Sequence, residues 1–405
     1  MNENSQFTIH NSQLRTGIID YDKILRQKVK DIKPSGIRKF FDIAAEMKDV
    51  ISLSVGEPDF HTPWHVREVA IDTLKRGRTW YSPNAGFSDL CKEITKYYAR
   101  RFNCEYNYKD EVLVTVGGSE AIDLAMRVLV SRGDEVIIPQ PSFVCYSPLA
   151  SLAGGVVRSI TTYAEDNFRL TPEALKSAIT PKTKLLILPY PNNPTGAVMR
   201  RHHLEAIAEV IKGTDILVIS DEIYGELTYG GERHVSFAEI NGMRERTIVV
   251  SGFSKSMAMT GWRLGYALGP QPIIAAMTKI HQFSIMCAPT TAQYAAIQAL
   301  RQGDEDVASM RDEYNRRRRL LVDSFREMGF DCFEPEGAFY IFPSISCTGV
   351  SSGEFCEKLL RRKQVVVVPG DAFGDSGEGF IRVSYAASLQ NLTEAIRRIG
   401  EFVSI

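Results

Sequence analysis

The sequence predicts an α/β fold in which a large domain with a mostly parallel sheet is joined to a smaller α+β domain. From about residue 110, short runs of β-branched and other apolar residues alternate with stretches that are apolar at helical spacing. Runs that are apolar throughout are typical of a sheet that helices cover on both faces, giving three layers. After about residue 303 the pattern changes to a long charged helix followed by shorter strands. We therefore predict an N-terminal segment (1–50) that packs with the small domain, a large domain (51–305) and a small domain (306–405).

The individual elements can be assigned in chain order. In the large domain, apolar runs predict strands at Glu111–Thr115, Glu135–Ile138, Lys184–Leu188, Ile216–Ile219 and Thr247–Val250. Helical spacing predicts helices at Ser119–Val130 and His202–Ile211. The small domain is predicted to contain a helix at Glu305–Met328, strands at Phe339–Phe342, Val365–Val368 and Phe380–Ser384, and a closing helix that ends at Phe402. The four arginines Arg316–Arg319 are predicted to form a solvated face of the long helix.

Composition excludes several classes of protein. The 405 residues carry a formal net charge of -1, which gives no support for binding to nucleic acid or to an anionic membrane. No apolar stretch approaches the roughly 18 residues of a membrane span, and the polar N-terminus lacks the apolar region of a signal peptide. Seven scattered cysteines without C-x-x-C spacing indicate packing residues in a reducing compartment, not metal ligands. We therefore expect a soluble cytoplasmic protein without a metal site.

The lysine in the run Ser251–Arg263 is the strongest candidate for chemistry. Lys255 follows the predicted strand Thr247–Val250 after a short turn, so the strand delivers it to a loop at the edge of the sheet. A lysine in a desolvated or cationic pocket loses its proton and becomes a nucleophile that forms Schiff bases with carbonyl compounds. A solvated loop lysine is the structural alternative, and only the surrounding motifs favour the first interpretation.

Polar residues follow two neighbouring strands at the same predicted edge. Asp221 ends an apolar strand, and Tyr224 comes three residues later. Ligands of parallel α/β sheets bind at the carboxyl ends of the strands, where a carboxylate can hold a ring nitrogen protonated and a phenol can donate to an oxygen. Asn193, in the turn Pro191–Gly196, exposes an amide at this edge. The alternatives are a helix N-cap for Asp221 and ordinary turn chemistry for Asn193. Glu222 is predicted to face outward.

Two further groups suit anions. The free N–H groups at Gly118, Ser119 and Glu120 begin a helix directly after a strand, and with the helix dipole they suit a phosphate. Arg263 and the Ser254 hydroxyl are additional phosphate donors. A glycine turn before a helix is the structural alternative, and the pattern is neither a Walker loop nor G-x-G-x-x-G, which argues against a nucleotide.

An arginine interrupts the apolar strand Phe380–Ser384. Alternation places Arg382 on the face opposite Ile381 and Val383, which is consistent with a guanidinium that points into a cleft and binds a carboxylate bidentately. An edge or surface position is the alternative.

Together these motifs closely resemble the pyridoxal-phosphate-dependent aminotransferases of class I and II, which have fold type I. The similarity extends from Ile51–Asp59 to Arg382, and it is strongest in the run around Lys255, in Pro191–Gly196 and in Asp221–Tyr224. Within this group the chain looks most like bacterial aromatic, aspartate and N-acetyl-diaminopimelate aminotransferases.

The resemblance implies a role for each motif. Lys255 would form the Schiff base with pyridoxal 5'-phosphate and later act as the general base at Cα, with Asp221 and Tyr224 as its catalytic partners. Asp221 would pair with the pyridine nitrogen, and Tyr224 and Asn193 would bind the phenolic oxygen. The remaining cofactor contacts would come from Phe143 stacking on the ring, although a core position is the alternative, and from phosphate binding by Gly118, Ser119, Glu120, Ser254 and Arg263.

The same resemblance implies how the substrate and the subunits are arranged. Arg382 would bind the substrate α-carboxylate with help from the backbone at Gly56 and the Asn193 amide. Tyr81 would reach the phosphate of the neighbouring subunit, which implies a homodimer. Ile37 and Phe339, with Tyr340, would suit an apolar or aromatic side chain, although all three are also good core residues. Arg38 is assigned to a surface salt bridge in preference to a distal substrate carboxylate.

Two other functions compete with transamination. A β-eliminating carbon–sulfur lyase would keep the cofactor and the fold, but the stretch Met257–Arg263 resembles the aminotransferase version. A non-catalytic regulator would need an added DNA-binding domain, and the residues before Ile51 contain no basic recognition helix. The amino donor, the oxo-acid acceptor and the pathway are left open by the sequence.

Overall fold

The computed structural model of the protein describes residues 19–33, 47 and 49–403. Its strands are β1 (Ile51–Ser52), β2 (Val112–Thr115), β3 (Glu135–Gln140), β4 (Val156–Thr161), β5 (Thr183–Leu188), β6 (Leu217–Asp221), β7 (Thr247–Gly252), β8 (Gly265–Leu268), β9 (Tyr340–Ile341), β10 (Val365–Val366), β11 (Val368–Pro369) and β12 (Ile381–Ser384).

The α-helices lie between and after these strands. They are α1 (Tyr21–Ile24), α2 (Gln27–Lys30), α3 (Trp64–Lys75), α4 (Ser88–Phe102), α5 (Gly118–Leu129), α6 (Tyr146–Ala153), α7 (Pro172–Ala178), α8 (Arg201–Ile211), α9 (Gln271–Ser284), α10 (Thr290–Gln302), α11 (Asp304–Glu327), α12 (Ser352–Lys363) and α13 (Leu389–Val403). Residues 19–33, which hold α1 and α2, belong to one compact unit, and the rest of the described chain belongs to another. The predicted domain division at residues 50 and 305 stays a prediction.

The seven-stranded central sheet has the order β2-β8-β7-β6-β5-β3-β4. The strands from β7 to β4 are parallel to their neighbours, whereas β8 is antiparallel to both β7 and β2. The predicted mostly parallel sheet is therefore confirmed. Strand β8 was not predicted, because it has only four residues and begins with glycine, which favours strands poorly.

Both faces of this sheet are buried under helices. In β2, Leu113 packs into a core with residues of α5 and α9, whereas Val112 and Val114 pack into a second core with residues of α4 and α10. Side chains of successive strand residues point to opposite faces, so an all-apolar strand supplies two cores at once. This is why the strands of the large sheet are apolar throughout.

The direction of the strands indicates which edge of the sheet is expected to bind a ligand. Strands β3, β5, β6 and β7 run parallel, and the two antiparallel steps through β8 leave β2 pointing the same way as β7. The carboxyl ends of these five strands therefore lie at one edge. Ligands of open α/β sheets bind at this edge.

The C-terminal strands, together with β1, form two smaller sheets. One contains β11, β12 and β9, all antiparallel, and the other pairs β1 with β10 in parallel, with Ile51 opposite Val365. Residues of α11, α12 and α13 share one hydrophobic core with these strands. The predicted strands and helices of this region are present, although the strands are shorter than predicted.

Two surface predictions were wrong. Of the four consecutive arginines, Arg317 and Arg318 are buried, where they form ion pairs with Asp59 and Glu334. Glu222 is also buried, because its carboxylate accepts hydrogen bonds from the hydroxyls of Ser220 and Ser236, both at 2.8 Å. In the part of the chain that the structure describes, no helix is long and apolar enough to cross a membrane.

Candidate active site

A cavity of about 660 Å³ opens at the carboxyl edge of the central sheet. Its volume is in the range of sites that enclose a cofactor-sized ligand. Most of the residues predicted from the sequence line it together, namely Gly56, Gly118, Ser119, Phe143, Asn193, Asp221, Tyr224, Ser254, Lys255, Arg263 and Arg382. These residues come from positions as far apart as 56 and 382, so the fold brings the separate motifs to one place.

Lys255 lies on the cavity wall, three residues after β7 ends. Its Nζ donates a hydrogen bond to the Gly56 carbonyl oxygen at 2.6 Å. Burial lowers the pKa of Lys255 to about 8, and the positive charges of Arg382 and Arg263 act in the same direction. The carboxylate of Glu57, which also lines the cavity, opposes this shift. About a tenth of this amine is therefore neutral and nucleophilic at pH 7, a far larger fraction than in an ordinary lysine.

Asp221 is buried at the end of β6. Its Oδ2 accepts a hydrogen bond from the Tyr146 hydroxyl at 2.7 Å, and its Oδ1 accepts one from the backbone N–H of Ile223 at 3.2 Å. Burial raises the pKa of Asp221, and these two donors oppose that shift. Among the described residues Asp221 has no ion-pair partner. A buried carboxylate without a counter-charge is costly, so the site favours a cationic group beside it.

Arg382 is buried on β12 and held from several sides. One terminal nitrogen donates to Asn193 Oδ1 at 2.9 Å, and the other donates to the Ser54 carbonyl oxygen at 2.5 Å. The guanidinium carbon lies 4.5 Å from the centre of the Tyr340 ring and 4.8 Å from that of Phe373. Burial lowers the pKa of Arg382. Its Nε has no hydrogen-bond partner within the described chain, and no carboxylate there pairs with it.

Two phenols complete this side of the cavity. The hydroxyls of Tyr224 and Tyr340 lie 2.8 Å apart, so one donates to the other. Burial raises the pKa of Tyr224 well above its usual range, which keeps this phenol protonated. The Asn193 amide, whose oxygen accepts from Arg382, keeps its NH2 group for another acceptor. The cavity thus offers neutral hydrogen-bond donors beside the lysine.

The opposite end of the cavity is cationic and rich in backbone N–H groups. Helix α5 begins at Gly118, and Ser119, Ser254 and Arg263 line the cavity beside its N-terminus. Gly117 has a φ of +77°, and a Cβ at this position would lie 2.6 Å from an Arg263 terminal nitrogen. A φ of +77° with a ψ of 167° is a conformation that only glycine adopts without strain, and an added Cβ would also displace the Arg263 side chain. This arrangement is typical of a phosphate-binding turn.

Three predicted site residues are not part of this lining, and a fourth lies outside the described residues. The Glu120 carboxylate faces away, toward Val116 and His281, and Phe339 is fully buried while its neighbour Tyr340 lines the cavity. The Phe339 ring nevertheless packs against that of Tyr340, with centroids 4.8 Å apart, and its centre lies 5.9 Å from Lys255 Nζ, so its assignment to the substrate pocket stays a prediction. Tyr81 is 78% exposed and lies outside the cavity of its own chain. Ile37, like Arg38, lies outside the described residues.

Sequence reasoning missed two ionisable residues that line the cavity. Tyr146, at the start of α6, is the hydrogen-bond donor to Asp221, and Glu57 accepts a hydrogen bond from the Thr260 hydroxyl at 3.0 Å. Nothing in the sequence links Tyr146 to an aspartate 75 positions later. Glu57 stands beside Gly56, which was predicted, so adjacency was the only available signal.

Comparison with known proteins identifies relatives over nearly the whole chain. Residues 48–399 match the family model described as aminotransferase class I and II. YugH of Bacillus subtilis strain 168 is 52% identical over 379 residues, which cover 94% of this chain and 98% of YugH. The aspartate aminotransferase of Pyrococcus abyssi is 46% identical over 370 residues, covering 91% and 95% of the two chains. The solved structure of the aromatic aminotransferase from Pyrococcus horikoshii OT3 has a TM-score of 0.86 and 43% identity, covering 91% of this chain and 98% of that one.

Proposed function

The chain belongs to the aminotransferases of class I and II, and on that premise we propose that its cavity moves an amino group between an L-amino acid and a 2-oxo acid. Pyridoxal 5'-phosphate is the cofactor of this family, and the protein is a pyridoxal-phosphate-dependent transferase of fold type I. The observation that carries the proposal for the site is Lys255, an amine of lowered pKa on the wall of a cavity that also holds Asp221 and Arg382. The reaction is assigned a ping-pong course, in which the oxo-acid product leaves before the second substrate binds.

The described residues fit this cofactor at both of its ends. The buried Asp221 carboxylate lacks a counter-charge and suits the protonated ring nitrogen, while the start of α5 with Arg263 and Ser254 suits the phosphate. Phe143 lines the cavity and suits the face of the ring. Asn193 supplies the amide that its contact with Arg382 leaves free.

When bound, pyridoxal phosphate supplies the aldehyde that carries the amino group and a ring that takes up the electron pair from Cα. Lys255 would be the residue that holds the cofactor covalently, and its amine, when free, would serve as the base for the substrate Cα proton. Tyr224 would donate a hydrogen bond to the cofactor, and Asp221 would stabilise a positive charge on the ring nitrogen.

Arg382 is assigned to the α-carboxylate of the substrate. Its guanidinium is buried, lies within 5 Å of the ring centres of Tyr340 and Phe373, and lacks a carboxylate partner among the described residues. A bound substrate carboxylate would supply the negative charge that this buried guanidinium lacks. The backbone at Gly56 lies on the same side, since its carbonyl contacts Lys255.

A homodimer with shared sites is part of the proposal. Tyr81 is exposed in the single chain, and Trp80, Phe283 and Met286 are also exposed apolar residues. The two segments that carry them lie together, because Asn84 donates to the Met286 carbonyl oxygen at 2.8 Å. Exposed apolar patches of this kind are typical of protein interfaces, so a second copy of the chain is the expected partner.

Subunit hybrids test the homodimer. Lys255→Ala and Tyr81→Ala variants are inactive or impaired alone, but mixing them should restore one complete site per hybrid dimer if Tyr81 acts across the interface. If the mixture gained no activity after verified subunit exchange, the result would argue against a shared site.

The cellular location is a separate part of the proposal. The free cysteines and near-zero net charge are compatible with a cytoplasmic location, which cell fractionation tests.

The reaction itself is tested in two half-reactions. The holoenzyme, incubated with an amino donor and no acceptor, should convert its bound cofactor once and release one equivalent of 2-oxo acid, and added 2-oxoglutarate should restore the starting absorbance. Donors to compare are phenylalanine, aspartate, alanine and N-acetyl-diaminopimelate. Continuous release of pyruvate and ammonia from cysteine or cystathionine without an acceptor would indicate a lyase instead.

A further inference from the structure

Glu120 stands at the third position of α5, beside the predicted phosphate site, yet its carboxylate faces away from the cavity. Oε2 accepts a hydrogen bond from the backbone N–H of Val116 at 2.5 Å, and Oε1 lies 2.7 Å from Nδ1 of His281. Val116 directly precedes Gly117 and Gly118, the two residues that turn the chain from β2 into α5. The carboxylate therefore binds the outer side of the turn whose inner side lines the cavity.

His281 reaches this turn from a different element. It lies on α9, which packs against α5, and its side chain is completely buried. Because Glu120 already accepts the Val116 N–H as a carboxylate, the contact to Oε1 makes Nδ1 of His281 the donor. The other ring nitrogen, Nε2, is buried and has no hydrogen-bond partner in the described chain. Glu120 therefore provides the polar contact that the His281 ring makes within the described chain.

The backbone of this turn is held on its remaining sides by close contacts. The Thr115 hydroxyl donates to the Gly117 carbonyl oxygen at 2.9 Å. A Cβ on Gly265 would lie 2.6 Å from the Gly117 carbonyl carbon, and one on Gly117 would lie 2.6 Å from Arg263. The turn therefore has little room to shift toward β8 or toward the arginine. The contact between Glu120 and Val116 is the polar restraint on the side of the turn that faces away from the cavity.

We propose that Glu120 and His281 form a positioning pair that holds the Val116–Gly118 turn in the shape that binds the phosphate of the cofactor. The proposal rests on the assignment of the cavity to pyridoxal phosphate. Neither side chain touches the phosphate. Glu120 orients the turn through the Val116 N–H, and His281 keeps the carboxylate turned away from the phosphate, where its negative charge would otherwise weaken anion binding.

This role predicts a selective effect on ligands that carry the phosphate. The holoenzyme is stripped of its cofactor and titrated by absorbance with pyridoxal phosphate and, separately, with pyridoxal, which has the same ring and aldehyde but no phosphate. In Glu120→Ala the Kd for pyridoxal phosphate should rise about tenfold or more, as expected for the loss of a hydrogen bond to a charged group, while the Kd for pyridoxal changes less than about twofold. Ser254→Ala, which removes a direct phosphate donor, is the positive control for this selective pattern.

His281 offers a matched pair of variants with the same amide chemistry. Asparagine places its NH2 group near the position of Nδ1, whereas glutamine places it near that of Nε2. His281→Asn should therefore keep the wild-type affinity for pyridoxal phosphate within about twofold, and His281→Gln should lose about tenfold. These substitutions remain informative if Glu120→Ala fails to fold, since each is compared with the other at equal thermal stability.

Three results would overturn the proposal. Equal losses for pyridoxal phosphate and pyridoxal would show that the pair supports the fold in general. Unchanged affinity for both ligands in Glu120→Ala would show that the turn does not need it, and equal affinities of the asparagine and glutamine variants would remove His281 from the pair. Failure of the proposed function is a separate outcome, because the wild-type protein would then bind neither ligand at Lys255.

Discussion

The Tyr146 hydroxyl donates a hydrogen bond to Asp221 Oδ2 at 2.7 Å on the wall of the cavity, although the two residues are 75 positions apart in the sequence. Burial raises the pKa of the Asp221 carboxyl group, and this hydrogen bond is the foremost of the contacts that lower it again. Tyr146 therefore helps to keep Asp221 ionised, which is the state needed beside a protonated ring nitrogen.

Removing this hydroxyl is expected to slow the chemistry without releasing the cofactor. Tyr146→Phe should lower kcat by about tenfold, equivalent to ~1.4 kcal/mol, because a hydrogen bond to a charged group is lost. Stopped-flow absorbance of the first half-reaction measures the effect. Tyr106→Phe is the control, since it removes a buried hydroxyl that has no hydrogen-bond partner and lies outside the cavity lining. Equal rates in wild type and Tyr146→Phe would contradict this role.

Gly117 should be irreplaceable for phosphate binding. Gly117→Ala places a methyl group against the Arg263 guanidinium and forces alanine to a φ of +77°. Gly242→Ala is a matched control, because its φ is +76° but nothing lies within 4 Å of the added carbon. Both variants should lose unfolding free energy from backbone strain, about 1 kcal/mol for Gly242→Ala and more for Gly117→Ala, because the ψ of 167° at position 117 belongs to a region that only glycine adopts readily. Only Gly117→Ala should bind pyridoxal phosphate more weakly in a cofactor titration, and equal affinities in the two variants would refute the contact.

Arg382→Lys should weaken binding of the amino-acid substrate. Lysine keeps the charge but loses the planar fork and the stacking between Tyr340 and Phe373. We expect kcat/KM for the amino donor to fall about 30-fold or more, equivalent to at least ~2 kcal/mol. The absorbance spectrum of the resting enzyme should stay close to that of the wild type, because lysine keeps the positive charge that acts on Lys255. If kcat/KM fell equally for amino donors with and without an α-carboxylate, Arg382 would not be the carboxylate-binding residue.

The lowered pKa of Lys255 predicts a pH dependence. Only the neutral amine attacks an aldehyde, and burial lowers the pKa of Lys255 to about 8 from an ordinary value of 10.5. In protein stripped of cofactor, the rate of pyridoxal phosphate capture should rise about tenfold per pH unit below pH 8 and level off above it. The same reaction with a simple amine corrects for titration of the aldehyde. A rate that keeps rising to pH 10 would mean that the reacting lysine is solvated.

Much of the fold follows from local sequence patterns. The strands that carry the site are apolar runs, and their turns carry Asn193, Asp221 and Lys255 at the edge where parallel strands end. Each of these features is encoded within about ten residues. The order and direction of the strands then bring these residues together. Strand β8 is antiparallel to both of its neighbours, so β2 and β7 still point the same way and their carboxyl ends lie at the same edge.

The rest depends on contacts between distant residues. Glu222 was predicted to be exposed, but the hydroxyls of Ser220 and Ser236 satisfy its carboxylate in the core. Arg317 looked like part of a solvated face, yet Asp59 lies against it from 258 positions away. A charged residue can be buried when residues distant in the sequence supply its hydrogen-bond or ion-pair partners, and the local sequence does not reveal these partners. Tyr146 was missed for the same reason, because its partner Asp221 is distant in the sequence.

The central claim is that the Lys255 amine binds the cofactor, and chemical trapping tests it most directly. Borohydride reduction of the holoenzyme fixes the cofactor to the nitrogen that carries it, and mass spectrometry of a proteolytic digest locates the modified lysine. We predict one pyridoxyl phosphate adduct per chain, on the peptide that contains position 255, and none in Lys255→Ala. An adduct on any other lysine, or the same adduct in Lys255→Ala, would contradict the account.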